Sequence, residues 1–213
     1  MDPLHERLAR IGLAATGKYG FALAGGYAVQ AHGFLTRKSE DVDLFTTTQA
    51  EPDFDKAVNE IVEAYRADGL SVDITLRFET FARLQVTTPE SQSSKVELGV
   101  DWRAHPPTFL EIGPVLHSDD AVANKVCALF GRSEVRDYVD VHAILASGRY
   151  TGTQLLSLAA DHDPGFDTAW FANALRYVER LPHSAFAVYG MSTEQAGELR
   201  QALTGWAETI AQN

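Results

Sequence analysis

The tightest constraint on the fold lies within the first fifty residues. A short apolar run, Phe21-Ala22-Leu23-Ala24, stops at Gly25-Gly26, and fifteen residues after that pair Asp41-Val42-Asp43-Leu44-Phe45-Thr46 opens with polar and apolar residues alternating. The first run reads as a buried strand feeding a glycine turn, and the second as a strand with one apolar face. Tyr27 to His32 reads as a short helix closed by Gly33. Residues two apart on a strand share a face, so Asp41 and Asp43 project together. Adjacent carboxylates repel, and a divalent cation, Mg²⁺ above all for oxygen donors, resolves the repulsion. The plainer alternative is a strand edge with two solvated aspartates.

Around this pair the chain alternates helix and strand signals. Leu4, Leu8, Ile11 and Ala15 place a helix over 3–15, weakened by Gly12, and Phe54, Val58, Ile61, Val62 and Tyr65 place another over 53–68. Strand patterns follow at 72–78, 82–87 and 95–102, the last two forming a hairpin around 89–94, and Pro106-Pro107 breaks the pattern. Ser118-Asp119-Asp120 suits the start of a helix through Phe130, with Gly131 as the interruption and a second helix over 133–146. Beyond Gly148 the chain reads as mainly helical, broken at Pro164-Gly165 and Leu181-Pro182. The expected class is α+β: a mixed sheet flanked by helices over 1–117, then a helical domain over 118–213.

The net charge of −11 excludes a broad, sequence-blind polyanion surface. Residues 1–150 hold 15 of the 18 Lys and Arg, so a local phosphate or RNA-end site is expected there. A single cysteine, Cys127, precludes an intramolecular disulfide, and the Met-Asp-Pro start has no basic-then-apolar signal pattern, so the cytoplasm is the expected location. No stretch has the roughly 18 apolar residues of a membrane span. His32, His105, His117 and His142 lack zinc-motif company. Trp102, Trp170, Phe166 and Phe171 are expected in the core.

Further charged groups sit in suggestive positions. Glu97, Gly99 and Asp101 share one face of the strand Lys95-Val96-Glu97-Leu98-Gly99-Val100-Asp101, which leaves Glu97 or Asp101 as a third acid, to bind metal or take a hydroxyl proton. Backbone N–H groups at Gly25-Gly26 are placed to meet phosphate oxygens. Lys125, Arg132 and Arg136 fall at helical spacings, forming one cationic stripe to neutralise a triphosphate beside the metal if their helices align, with Asp137 and Asp140 as pairing partners. The plainer alternative for that stretch is a surface helix laced with ion pairs.

A strand, a glycine pair, a helix and a D-x-D strand in this order resemble polymerase-β-like nucleotidyltransferases. Gly25-Gly26, Arg37-Lys38-Ser39-Glu40-Asp41-Val42-Asp43-Leu44-Phe45, Asn124-Lys125 and Arg136-Asp137-Tyr138-Val139-Asp140 together resemble the AbiEii family of nucleotidyltransferase toxins, which includes the MenT toxins. The resemblance covers roughly residues 20–145. It implies a Mg²⁺-dependent enzyme that moves a nucleotide from a nucleoside triphosphate to an acceptor, the 3′ end of tRNA in MenT-like members, with pyrophosphate released. It further implies metal at Asp41 and Asp43 with Glu97 (or Asp101), triphosphate at Lys125, Arg37 near the phosphates, and Asp140 as the acid of the last motif. A cognate antitoxin, in some pairs a kinase acting on a hydroxyl just before D-x-D, would find Ser39.

The family pattern has Ser or Thr after the glycine pair, where this chain has Tyr27. That departure leaves room for a non-catalytic module of the same fold. The acceptor groove is not visible in the sequence, so a small molecule or a protein hydroxyl stands as the alternative acceptor.

Overall fold

Asp2 starts the first helix by accepting a hydrogen bond from Leu4 N, with Pro3 just inside, where a missing N–H costs nothing. The structure, a computed structural model, describes residues 1–212. Its helices are α1 (Pro3–Thr16), α2 (Gly25–Ala31), α3 (Phe54–Ala67), α4 (Ser118–Arg132), α5 (Val135–Ala146), α6 (Gly152–His162), α7 (Thr168–Arg176), α8 (His183–Ala187) and α9 (Thr193–Ala211). Its strands are β1 (Ala22–Leu23), β2 (Asp41–Thr46), β3 (Ser71–Arg77), β4 (Phe81–Thr87), β5 (Ser93–Val100), β6 (Thr108–Leu110) and β7 (Gly113–Val115).

Two units emerge. The first comprises Met1–His32 and Lys38–Ser118; the second comprises Gly33–Arg37 and the chain from Asp119 onward. The first holds a mixed seven-stranded sheet ordered β3-β4-β5-β2-β1-β7-β6. Strand β2 runs parallel to β5 and antiparallel to β1, and β3-β4-β5 form an antiparallel meander. One sheet face carries Val42, Leu44, Ala82, Leu84, Val86, Val96 and Leu98, all fully buried. That face meets α1 and α3, and Gly12 shows how tightly. A Cβ there would lie 2.5 Å from Leu44 Cδ1 and 2.9 Å from Ile61 Cδ1, so the glycine that weakens the helix also permits its close approach. Tyr65, fully buried, donates to Leu8 O at 2.9 Å and ties α3 to α1.

The second unit packs its helices around Tyr138, Val141, Ile144, Leu155, Phe171, Leu175, Phe186, Leu199 and Leu203, all fully buried. The Gly33–Arg37 segment belongs to this core: Phe34 is buried beneath the Arg149 guanidinium, 3.9 Å from its ring centroid. Among the described residues, no helix is long and apolar enough to cross a membrane.

The α+β class, with its mixed sheet flanked by helices, is as expected; three details are not. Helix α4 runs through Gly131 to Arg132, and the break falls at Ser133, whose φ is +53°. Glu134 then caps α5 in a reciprocal box with Asp137. The hairpin β6-β7 carries no strand pattern in the sequence, because its strands have three residues each and one contains Pro114. Trp102 and Trp170, expected in the core, are 47% and 65% exposed, whereas Phe171 is buried as expected.

Candidate active site

Asp41 and Asp43 point from β2 to the sheet face opposite the apolar one, as the period of two requires. The parallel register sets Asp43 directly beside Glu97 of β5, and carboxylate oxygens of Asp41, Asp43 and Glu97 all lie within 4.8 Å of one another. Such an all-oxygen cluster fits a hard divalent cation. Asp101 lies outside the cluster. It follows the end of β5, its N–H donates to Thr46 O at 2.8 Å, and its Oδ1 accepts from Trp102 N.

Gly25 meets the cluster from the β1–α2 turn. Its φ is +57°, and a Cβ there would fall 1.7 Å from Asp43 Oδ2. Ala24 N–H donates to Asp43 O at 2.8 Å, locking the turn against β2. The turn therefore needs glycine on two counts: a left-handed backbone and the space taken by a carboxylate. Gly26 is buried at the start of α2.

Two cations that the sequence reading did not single out border the cluster. Arg83 Nε, on β4, lies 2.8 Å from Glu97 Oε1, and Lys95 Nζ lies 3.7 Å from Asp41 Oδ2. Lys95 was detectable, since it stands two residues before Glu97 on one strand face. Arg83 was not, because its place beside Glu97 follows from the β4–β5 register.

Tyr27 resolves differently from the pattern it departs from. The residue is 2% exposed, and its hydroxyl contacts His5 Nδ1 at 2.6 Å and Asp2 N–H at 3.4 Å. His5 Nε2 in turn meets Ser94 Oγ at 2.7 Å. This chain joins α2, α1 and β5. Ser39 occupies the loop two residues before β2, half-buried.

Within the second unit, Arg37, Asp140 and Lys125 form a buried ionic triad. Arg37 grips Asp140 with both arms, Nε to Oδ1 at 2.5 Å and Nη2 to Oδ2 at 2.6 Å, and Lys125 Nζ reaches Oδ2 at 2.9 Å. The three side chains are 7%, 0% and 8% exposed. Burial pushes the Asp140 carboxyl up, but the Lys125 ammonium and the Arg37 guanidinium outweigh it and hold the group below the usual carboxylate range. One carboxylate between two cations leaves this cluster net positive.

Each cation of the expected stripe meets a carboxylate. Arg132 makes a forked contact with Asp137 at 2.8–2.9 Å, and Arg136 Nε sits 2.8 Å from Glu134 Oε2. Arg132 and Arg136 thus knit the α4–α5 junction, while Lys125 joins Asp140.

Nearly the whole chain is similar to solved structures. JHP933 of Helicobacter pylori shares 18% identity with a TM-score of 0.60, covering 98% of this chain and 91% of that one. The nucleotidyltransferase toxin MenT4 of Mycobacterium tuberculosis shares 16% identity with a TM-score of 0.59, covering 96% and 83%. At such identities the likeness speaks for the fold. No curated protein matches the sequence. Residues 8–207 match the family described as Nucleotidyl transferase AbiEii toxin, Type IV TA system, and the chain therefore belongs to the AbiEii nucleotidyltransferase toxins.

Proposed function

We propose that this nucleotidyltransferase is a Mg²⁺-dependent toxin that transfers a nucleotide from a nucleoside triphosphate to the 3′ end of tRNA, opposed by a cognate antitoxin. The observation that carries the reading is the Asp41–Asp43–Glu97 cluster on two adjacent strands, with Gly25 shaped to receive Asp43. The tRNA acceptor and the antitoxin rest on the MenT-like resemblance of the sequence motifs.

In the reaction, the acceptor hydroxyl forms a bond to the α-phosphorus, the bond from that phosphorus to the β-phosphate oxygen breaks, and pyrophosphate leaves. Magnesium, held by Asp41, Asp43 and Glu97, would supply electrostatic stabilisation of the attacking and leaving oxygens. Glu97, oriented by Arg83, accepts the hydroxyl proton. The Gly25-Gly26 backbone is assigned to the phosphates. The resemblance of the sequence motifs assigns Lys125 and Arg37 to phosphate charge, and within the helical unit Asp140 fixes the orientation of both. Arg132 and Arg136, engaged by carboxylates at a helix junction, support this assignment only indirectly.

The test is incubation with Mg²⁺ and each α-labelled nucleoside triphosphate, with and without total tRNA, beside Asp43→Asn. Label on tRNA from the wild type alone is the expected result. Label from the variant, or label that ignores RNA and chelation of the metal, contradicts the reading. A kinase antitoxin would act on Ser39, adding roughly two negative charges beside the metal carboxylates. Ser39→Ala would then escape inhibition, and equal inhibition of both proteins would remove Ser39 from the scheme.

A further inference from the structure

On the carboxylate face, the strand registers align two rows of side chains across four strands. The first row is Asp43, Glu97, Arg83 and Leu76, each directly opposite the next. The second is Phe45, Gly99 and Phe81, continued by Phe78, whose N–H donates to Phe81 O at 2.7 Å across the β3–β4 turn. A bulge between Ile74 and Leu76 makes this possible. Before it, Val72 and Ile74 pair with Val86 and Leu84 of the buried face; after it, Leu76 pairs with Arg83, so Leu76 and Phe78 turn to the carboxylate face. Both remain accessible, at 37% and 63% exposure.

Gly99 separates the rings of the second row. A Cβ there would stand 3.2 Å from the Phe45 ring, so that ring lies over bare backbone. Arg83 sets its guanidinium 5.8 Å from the centroid of Phe81. The rows stand about 7 Å apart along the strands, and the aromatic one spans three strand spacings, or about 14 Å.

We infer that this aromatic row is a stacking platform for the unpaired 3′ nucleotides of an RNA acceptor. Bases lie on Phe45, Phe81 and Phe78, and the terminal ribose hydroxyl is delivered to the neighbouring carboxylate row. The inference rests on the RNA nucleotidyltransferase reading and gives that site its acceptor surface. Three rings, two on strands and one just past the end of β3, exceed what one nucleoside triphosphate base needs, whereas a single strand of RNA presents a base to each. Arg83, paired with Glu97, also sets its guanidinium against Phe81 and so ties the aromatic row to the carboxylate row. A second copy of this chain is the less suitable occupant, because a bulge in the edge strand β3 bends it away from strand pairing.

The test measures binding of a fluorescently labelled single-stranded RNA oligonucleotide by anisotropy, with Mg²⁺-dependent nucleotide binding measured alongside. Phe78→Ala, at an exposed site, should weaken RNA binding roughly 5- to 100-fold. Phe78→Tyr should restore it, and nucleotide binding should be unchanged in both. If the wild type binds and labels RNA but Phe78→Ala binds it equally well, the platform is overturned and the RNA reading stands. If the wild type labels only a small molecule or a protein, both fall. Self-association of the wild type that Phe78→Ala abolishes would assign the row to a second copy and overturn the platform.

Discussion

The Asp43 carboxylate occupies the space in which a side chain on Gly25 would have to lie, with Oδ2 1.7 Å from the ideal Cβ position. The glycine of the turn and the second aspartate of the strand are thus one steric unit. Gly25→Ala should cost about 1–2 kcal/mol for the left-handed backbone alone and displace Asp43 as well. A displacement of about an ångström at a reacting centre lowers rate on the order of 100-fold. Transfer assays beside thermal denaturation check this. Full activity in a folded Gly25→Ala variant would show that Asp43 has no fixed place in the reaction.

The triad in the helical unit should respond unequally to loss of its members. Asp140→Asn takes from the buried Arg37 and Lys125 the carboxylate they share, and breaking such a cluster costs about 3–5 kcal/mol. At this chain length that is a fall in melting temperature of roughly 10 °C. Lys125→Met leaves Asp140 in its forked pair with Arg37, so its loss should stay near about 1.5–3 kcal/mol. Under the proposed function Lys125→Met should nonetheless lose most nucleoside triphosphate binding. Denaturation and nucleotide titration of the same two variants separate the roles.

Much of this was readable from local pattern, and the limits are instructive. Alternation in Asp41–Thr46 and in 95–100 identified β2 and β5 and the face of their acids, because period two is a local property. Which of Glu97 and Asp101 stands beside Asp43 is not a local property. It depends on the parallel pairing of strands far apart in sequence, which sets Glu97 beside Asp43 and ends β5 before Asp101. The same reason hid Arg83. Reading 72–78 as one regular strand missed the bulge, and with it the transfer of Leu76 and Phe78 to the carboxylate face. Trp102 and Trp170 were assigned to the core on residue type, a rule that size alone does not secure for tryptophan. Arg37 precedes the D-x-D strand by four residues yet belongs to the helical unit, a partition no composition shift announces.

Tyr27 offers a sharp contrast between two roles for one hydroxyl. Its contacts run to His5 and the start of α1, so Tyr27→Phe should cost about 1 kcal/mol, a fall of roughly 2–4 °C in melting temperature. KM for the nucleoside triphosphate should not change. A KM raised severalfold with unchanged melting temperature would instead assign the hydroxyl to the phosphates, as the Ser or Thr of the family pattern would be.

Stability should decline with acidity in two stages, the imidazole stage first and the carboxyl stage second. His142 on α5 is half-buried; desolvation lowers its pKa below the ordinary 6.5, and Glu198 of α9 only partly offsets this. Between the folded and unfolded values the unfolded chain binds the extra proton, so stability is complete above about pH 6.5 and falls as pH drops beneath it. Asp140 acts in the same direction at lower pH. Its carboxyl is held below the ordinary 3.8, so its contribution is present above that value and is lost as pH falls through the folded one. Chemical denaturation from pH 8 to pH 3 should show a shallow decline from about 6.5 and a steeper one below 4. His142→Asn should shrink the first stage, leaving the part that His5 contributes, since burial lowers that imidazole as well, and leave the second stage unchanged. A first stage of undiminished size in that variant would remove His142 from it.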